Sequence, residues 1–357
     1  MSYINMIPRY DTREQIEAVR FQEPAPSMFR NTFFSASNDI YSPTETIEWD
    51  EVREGASMAR YVSDELEVEK TEREPFITKE LTSPKVQEKR VLTAAQLRKR
   101  MAGENPYSTQ TPAQRAQSFI DGDYAFCMNA IDARVEQQCA QMMVHGRVDI
   151  IGKGVNEYVD YELPLRLTLS GADRWGQPGV NRFDTLRMMS QTLRKRNSSP
   201  TLAIMELSVA KSLMADAEWK EMLDNRRMEM GMIAPGPVTN IFEAAQYFGQ
   251  IKREGIGIID LFTYDGTYKN ENNEEVPYLD EGRILLCSAD AMQNRMFFGA
   301  HTFMDADTKQ FMTVEGRYTP QIFHDPRAGS GTMTTMVTSR PLPAPYKVDS
   351  WWSAKVL

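Results

Sequence analysis

TPAQRAQSFIDGDYAFCMNAIDARVEQQCAQMMVHG, residues 111–146, reads as one uninterrupted helix with a signal at each end. Thr111 is an N-cap candidate, Pro112 suits a first helical position where the missing N–H has no partner to lose, and Gln114 completes a capping box. Gly146 supplies the stop. Residues 112–145 then span about 50 Å at ~1.5 Å per residue, far more than an ordinary helix. Ala116, Phe119, Ile120, Tyr124, Cys127, Ala130, Ile131, Arg134, Val135, Cys139, Met142 and Met143 recur three or four apart and draw one mostly apolar stripe. Gln117, Asp121, Asp132, Glu136 and Gln137 form the opposite, polar face. A stripe without a sustained heptad repeat is a core-facing spine against which sheet packs.

Upstream, Tyr61 to Leu92 reads as two extended arms. Leu66 and Val68 alternate with Glu65, Glu67 and Glu69, while Phe76, Ile77, Leu81 and Val86 are spread among Lys79, Glu80, Lys85 and Glu88. Glu72-Arg73-Glu74-Pro75 is the expected tip. Between Asp64 and Arg90 stand eight acidic and six basic residues but only six large apolar ones, too few to offset the entropy of ordering the segment. Such an arm builds no core of its own, and its mixed signs suit pairing with charges on a partner; a disordered, solvated linker is the alternative on composition, and the alternation favours strand. Glu65, Glu67, Glu69, Glu72, Arg73, Glu74, Lys79 and Lys85 are the candidate contact residues.

Composition bounds the remainder. The chain has 357 residues, 41% hydrophobic and 25% charged, which is ordinary for a globular protein of up to two domains. No stretch approaches 18 apolar residues, and the first residues lack a basic and apolar leader, so neither a membrane span nor export is expected. A net charge of −9 argues against strong non-specific nucleic-acid binding, which depends on Lys and Arg displacing counterions. Arg98-Lys99-Arg100 and Arg194-Lys195-Arg196 are short, and the second suits a helix C-terminus. Cys127 and Cys139 lie about 18 Å apart on the helix and cannot bridge; with Cys287 they are expected to be reduced and buried.

Around the spine, residues 1–45 read as an extended, Pro- and Ser-punctuated arm, Glu45 to Glu51 as a short strand, and Ala94 to Arg100 as a short helix. Val148 to Ile151 and Val155 to Leu163 form a hairpin around Gly152-Lys153-Gly154. A second region follows: a helix from Asp184 to Arg196, a strand from Thr201 to Leu207, and a helix opened by Ser208 and running to Arg227. Next come a strand from Gly257 to Tyr264 with a hairpin turn at Asp265-Gly266, then buried strands over Arg283 to Ser288 and Arg295 to His301. Thr332 to Thr338, a Pro-rich crossing at Pro341, Pro343 and Pro345, and a last segment with Trp351, Trp352 and Val356 complete an α+β order.

Motifs of catalysis are weak. Ser208-Val-Ala-Lys211 is better explained as a helix cap than as a nucleophile, and Ser353-Ala-Lys355 is only superficially similar to hydrolase patterns. His145, His301 and His324 are isolated, without metal-ligand spacing. Gly152-Lys-Gly154 and Gly255-Ile-Gly257 are turns rather than phosphate loops. Asp305 and Asp307 lie in an Asp-rich loop, where a plain turn is preferred to a cation site. The 22 methionines suit adaptable packing. No catalytic, cofactor or metal-binding residues are expected; a cytoplasmic α+β enzyme or ligand-binding protein is the alternative.

Met28-Phe-Arg-Asn-Thr-Phe-Phe34, Glu45-Thr-Ile-Glu-Trp-Asp50, Ala59-Arg-Tyr-Val-Ser63 before the charged arms, and Pro277-Tyr-Leu-Asp-Glu-Gly-Arg-Ile-Leu-Leu286 before a buried strand carry a resemblance through their order and spacing. From about Phe29 onward the chain resembles the major capsid proteins of tailed phages, more closely the lambda-type capsid protein E family. The resemblance implies a Hong Kong 97-type phage capsid fold: an N-terminal arm at 1–45, an extended loop at 46–92 that reaches over a neighbouring subunit, a peripheral domain at 93–182 holding the spine helix, an axial domain at 183–329, and a C-terminal return at 330–357. It further implies self-assembly into hexamers and pentamers of an icosahedral head enclosing double-stranded DNA with weak non-specific contact. Portal, scaffolding and decoration proteins of the phage would be partners, with assembly in the host bacterial cytoplasm and the virion as destination.

Overall fold

The computed structural model describes residues 27–51, 77–97, 111–216, 219, 245–270, 273–304, 310–325 and 332–357. In chain order these give α1 (Met28–Phe33), β1 (Ile40–Ser42), β2 (Thr46–Glu51), β3 (Ile77–Thr82), β4 (Val86–Thr93), α2 (Ala94–Leu97), α3 (Pro112–His145), β5 (Arg147–Gly152), β6 (Val155–Asp160) and β7 (Arg166–Thr168). There follow α4 (Arg182–Lys195), β8 (Pro200–Met205), α5 (Leu207–Met214), β9 (Ala245–Arg253), β10 (Gly257–Tyr264), β11 (Thr267–Lys269), β12 (Glu275–Pro277) and β13 (Arg283–Ser288). The last are β14 (Arg295–Gly299), β15 (His301–Met304), β16 (Phe311–Val314), β17 (Thr319–Asp325), β18 (Thr332–Ser339), β19 (Pro341–Ala344) and β20 (Trp351–Lys355).

The spine helix α3 has the expected ends. Gln114 N–H donates to Thr111 Oγ1 at 3.3 Å while Thr111 N–H donates to Gln114 Oε1 at 2.9 Å, so two orphan donors are satisfied reciprocally. Gly146 closes the helix at φ 64°, with its N–H donating to Met142 O at 2.9 Å. A Cβ there would lie 2.4 Å from Leu163 Cβ, so glycine is required by both backbone and space. Cys127, Ile131, Val135, Cys139, Met142 and Met143 are fully buried along the stripe, and the Ile, Val and Met side chains each contribute roughly 1.5–3 kcal/mol of apolar burial. One assignment of faces is wrong: Glu136, read as polar surface, is 0% exposed.

A six-stranded sheet, ordered β7-β20-β13-β8-β10-β9, separates two cores. Period-two alternation sorts the side chains. Leu202, Ile204, Leu285, Cys287 and Trp351 pack toward the spine helix, and Ala203, Met205, Ile284, Leu286 and Trp352 pack with Phe183, Leu186, Leu193, Val209 and Leu213 of α4 and α5. The chain's last strand is thus internal to the sheet, antiparallel to β13 and parallel to β7. Smaller sheets, β1-β14-β19 and β17-β18-β4, complete the body, and β2-β3, β5-β6, β11-β12 and β15-β16 are two-stranded ribbons. All three cysteines are free and buried.

Several expectations are revised. The second charged arm is broken at Ser83-Pro84-Lys85, where proline interrupts the ladder. β3 turns back onto β2, whereas β4 pairs with β18 beside the spine. Residues 27–45, read as extended, contain a six-residue helix whose Met28, Phe29 and Phe33 are core residues. The N-cap of α5 is Glu206, which accepts from Ser208 N–H at 2.8 Å, rather than Ser208 itself; the helix is described to Met214, and its expected run to Arg227 lies outside the described residues. Asp265-Gly266 closes no hairpin, because β10 is already flanked by β8 and β9, and the chain leaves to pair β11 with β12. The proline-rich crossing forms β19, tolerated because it is an edge strand beside β14.

Candidate assembly site at the root of the charged loop

β2 and β3 pair from Thr46↔Thr82 to Glu51↔Ile77 as a two-stranded ribbon. Their root is clamped by backbone and charge. Ser83 N–H and Oγ–H both donate to Glu45 O at 2.9 Å, which ties the ends of the two strands to each other. Arg340 reaches both sides, donating to Ser83 O at 3.2 Å and pairing with Glu45 Oε1 at 2.9 Å. Its side chain is only 12% exposed, so this pair is less screened than a surface one. Gly299 permits the approach: a Cβ there would stand 2.2 Å from Ser83 Oγ. Below, Ala300 N–H donates to Thr44 O at 3.2 Å and Gly299 N–H to Arg340 O at 3.0 Å. His301, buried beside this root, has its pKa lowered chiefly by desolvation and then by the Lys85 and Arg340 charges, against a raising influence of Glu45.

Of the residues expected to make contacts, Glu65, Glu67, Glu69, Glu72, Arg73 and Glu74 lie outside the described residues. Lys79 is on β3 opposite Trp49, and Lys85 is exposed in the link between β3 and β4. Asp305 and Asp307 also lie outside the described residues, as does the Arg98-Lys99-Arg100 cluster. His145 is partly exposed, 3.5 Å from Asp280, and Ser353 is buried and donates to Val144 O at 2.5 Å. Arg340, Ser83 and Gly299 were not singled out from the sequence; no local pattern joins residues so distant along the chain.

A second junction fixes the N-terminal segment to the spine. Glu136 Oε1 accepts from Phe29 N–H at 2.7 Å and Oε2 from Arg30 N–H at 2.8 Å, satisfying orphan donors of α1. Tyr264 O–H of β10 donates to Oε1 at 3.4 Å. Burial is the largest influence on Glu136 and lifts its pKa to about 7, against the lowering effects of the Arg30 and Phe29 N–H groups, Tyr264 and the Arg30 charge. Arg30 pairs with both oxygens of Asp39 at 2.6 Å, the two side chains each 5% exposed. Desolvation still outweighs that pairing and raises the Asp39 pKa. Further along the helix, Asp132 accepts from Arg317 at 2.8 Å and contacts the Tyr318 hydroxyl. One helix thereby holds the N-terminal segment, strand β10 and the turn before β17 through carboxylates.

These features, a capped spine, a sheet shared between two cores and a clamped ribbon, match a known class. The profile of the phage major capsid protein E family covers residues 11–356, and the chain belongs to that family. Among solved structures it is similar to a protein assigned as a prophage capsid protein of E. coli CFT073, with TM-score 0.65 at 17% identity over 98% of this chain and 96% of that one. The capsid of cyanophage A-1(L) aligns over 96% of both chains at 9% identity and TM-score 0.48. That of cyanophage P-SCSP1u aligns at 10% identity and TM-score 0.47 over 93% of this chain and 88% of that one. No curated protein matches the chain. The fold is the Hong Kong 97-type capsid fold. The chain is a capsid-forming structural protein of the phage virion, assembling into a shell of its own copies, and is not an enzyme.

Proposed function

We propose that this subunit builds hexamers and pentamers of an icosahedral head around double-stranded DNA, and that the part of its 46–92 segment up to Thr82 is the loop that each copy lays across a neighbour, the remainder leading into β4, which pairs with β18 of the same subunit. The single observation behind this reading is the β2-β3 ribbon. Its strands pair only with each other among the described residues and are fixed to the body at Glu45, Ser83 and Arg340. The intervening sequence is too charged and too poor in apolar residues to build a core of its own, so its order is gained on another copy. Glu65, Glu67, Glu69, Glu72, Arg73, Glu74, Lys79 and Lys85 are its proposed contacts. In this scheme 93–182 with the spine is the peripheral domain, 183–329 the axial domain near the capsomer centre, and 330–357 the return. Portal, scaffolding and decoration proteins complete the head in the host cytoplasm. The acidic balance of −9 keeps the shell from gripping DNA.

Deleting Glu72 to Glu74, or reversing their charges, tests the loop's role. The subunit should keep its melting temperature and circular dichroism while electron micrographs show few or no particles. Normal particles from the variant would defeat the assignment.

A further inference from the structure

The β15-β16 ribbon pairs from His301↔Val314 to Met304↔Phe311 and, among the described residues, joins no larger sheet. Its inner face is seated on the body: His301 is buried and stacks on Phe303 at 5.8 Å, and Val314 is half-buried. Thr302, Met304, Phe311 and Thr313 make up the other face, and all four are exposed. Thr302 and Thr313 hydroxyls satisfy each other at 3.0 Å, so this face has little unmet demand for water. Phe311 is 79% exposed, the highest among the large apolar residues described, and Met304 on the same face is 55% exposed; Met312, at 47%, lies on the opposite face as the partner of Phe303.

Two-stranded ribbons are marginal on their own, and a large apolar patch left in water marks an interaction surface. We propose that the β15-β16 ribbon, through Phe311 and Met304, docks on a second copy of this chain in the shell.

Charge and area argue for a copy. Each subunit carries −9, so copies repel one another at long range, and the strands of this ribbon contain no Asp, Glu, Lys or Arg. The strands themselves bring no charge to be desolvated, and Asp305, Asp307 and Lys309 belong to the link between them. Phe311 and Met304 together expose on the order of 250 Å², taking ~150–250 Å² for an aromatic side chain as a guide. That is about a third of the ~800 Å² per partner that holds a stable two-protein complex together. It is too little for a protein that binds alone, and enough for one of several contacts that each subunit makes in a closed shell. The inference rests on the shell-forming reading above and adds a contact independent of the charged loop.

Two experiments test it in cells that produce the phage head. In the first, Met304→Ser with Phe311→Ser should leave the melting temperature of the free subunit unchanged, because both side chains already face water. Particle yield should fall roughly tenfold or more, since the lost contact recurs in every subunit. In the second, a photo-crosslinking benzoyl-phenylalanine replaces Phe311. On irradiation of purified particles it should give a band at twice the chain's mass, absent from dilute free subunit. Wild-type yield from the serine variant, a crosslink to a different protein, or particles without any crosslink would overturn the proposal. Absence of particles from the wild-type chain would instead overturn the shell reading, and this inference with it.

Discussion

Glu136→Gln keeps the length of the side chain and one carbonyl acceptor but removes the charge and the second carboxylate oxygen. In the folded subunit the carboxyl is buried and titrates at about 7 against an ordinary 4.5. Between those values the folded state holds a proton that the unfolded chain has released. The unfolded state therefore binds fewer protons, and stability falls as pH rises through the window. At 1.36 kcal/mol per unit, this carboxyl lowers stability by about 2–3 kcal/mol between pH 5 and pH 8. The glutamine has no such dependence. It does leave one of the Phe29 and Arg30 N–H groups facing an amide NH₂, which costs about 1–2 kcal/mol. Urea unfolding of the two proteins should then show the variant less stable at pH 5, with the gap closing or reversing at pH 8. Taking the difference between the proteins cancels Asp39, whose raised pKa gives a slope of the same sign in both. A gap of equal size at the two pH values would refute the assignment of Glu136 as a buried, near-neutral acid holding α1.

The root of the loop gives further expectations. Arg340→Ala removes the group joining Glu45 to Ser83; the subunit should lose about 1–3 kcal/mol, read by urea unfolding, and form fewer particles by electron microscopy. Gly299→Ala places a methyl group 2.2 Å from Ser83 Oγ and should destabilise by about 1–3 kcal/mol through overpacking. Adding Ser83→Ala should return part of that loss in a double-mutant cycle, whereas additive losses would show that the two side chains do not meet.

The spine was legible because its signals are local. Thr111, Pro112, Gln114 and Gly146 each act within a turn, and the stripe from Cys127 to Met143 follows the helical period. The buried runs over 283–288 and 295–299 were legible for the same reason, as short apolar stretches. Glu136 was misassigned because its polarity matches the solvent side. What holds it inside is a pair of backbone donors 106 and 107 positions away, and backbone donors leave no trace in residue types. Ser208 lost the cap to Glu206, two positions earlier, since any acceptor of suitable reach can fill that role. Asp265-Gly266 carried a hairpin signal that tertiary pairing overrode. The clamp at Ser83, Gly299 and Arg340 was illegible throughout, because small residues selected for close approach look like any other Ser or Gly. The arm's need for a partner is inferred from composition alone, since residues 52–76 lie outside the described residues.

A cryo-EM map of assembled particles tests the central claim most directly. Density for residues 46–82 should run from the Glu45–Ser83 root across the body of an adjacent copy. Density folding that segment back onto the subunit from which it springs would contradict the account.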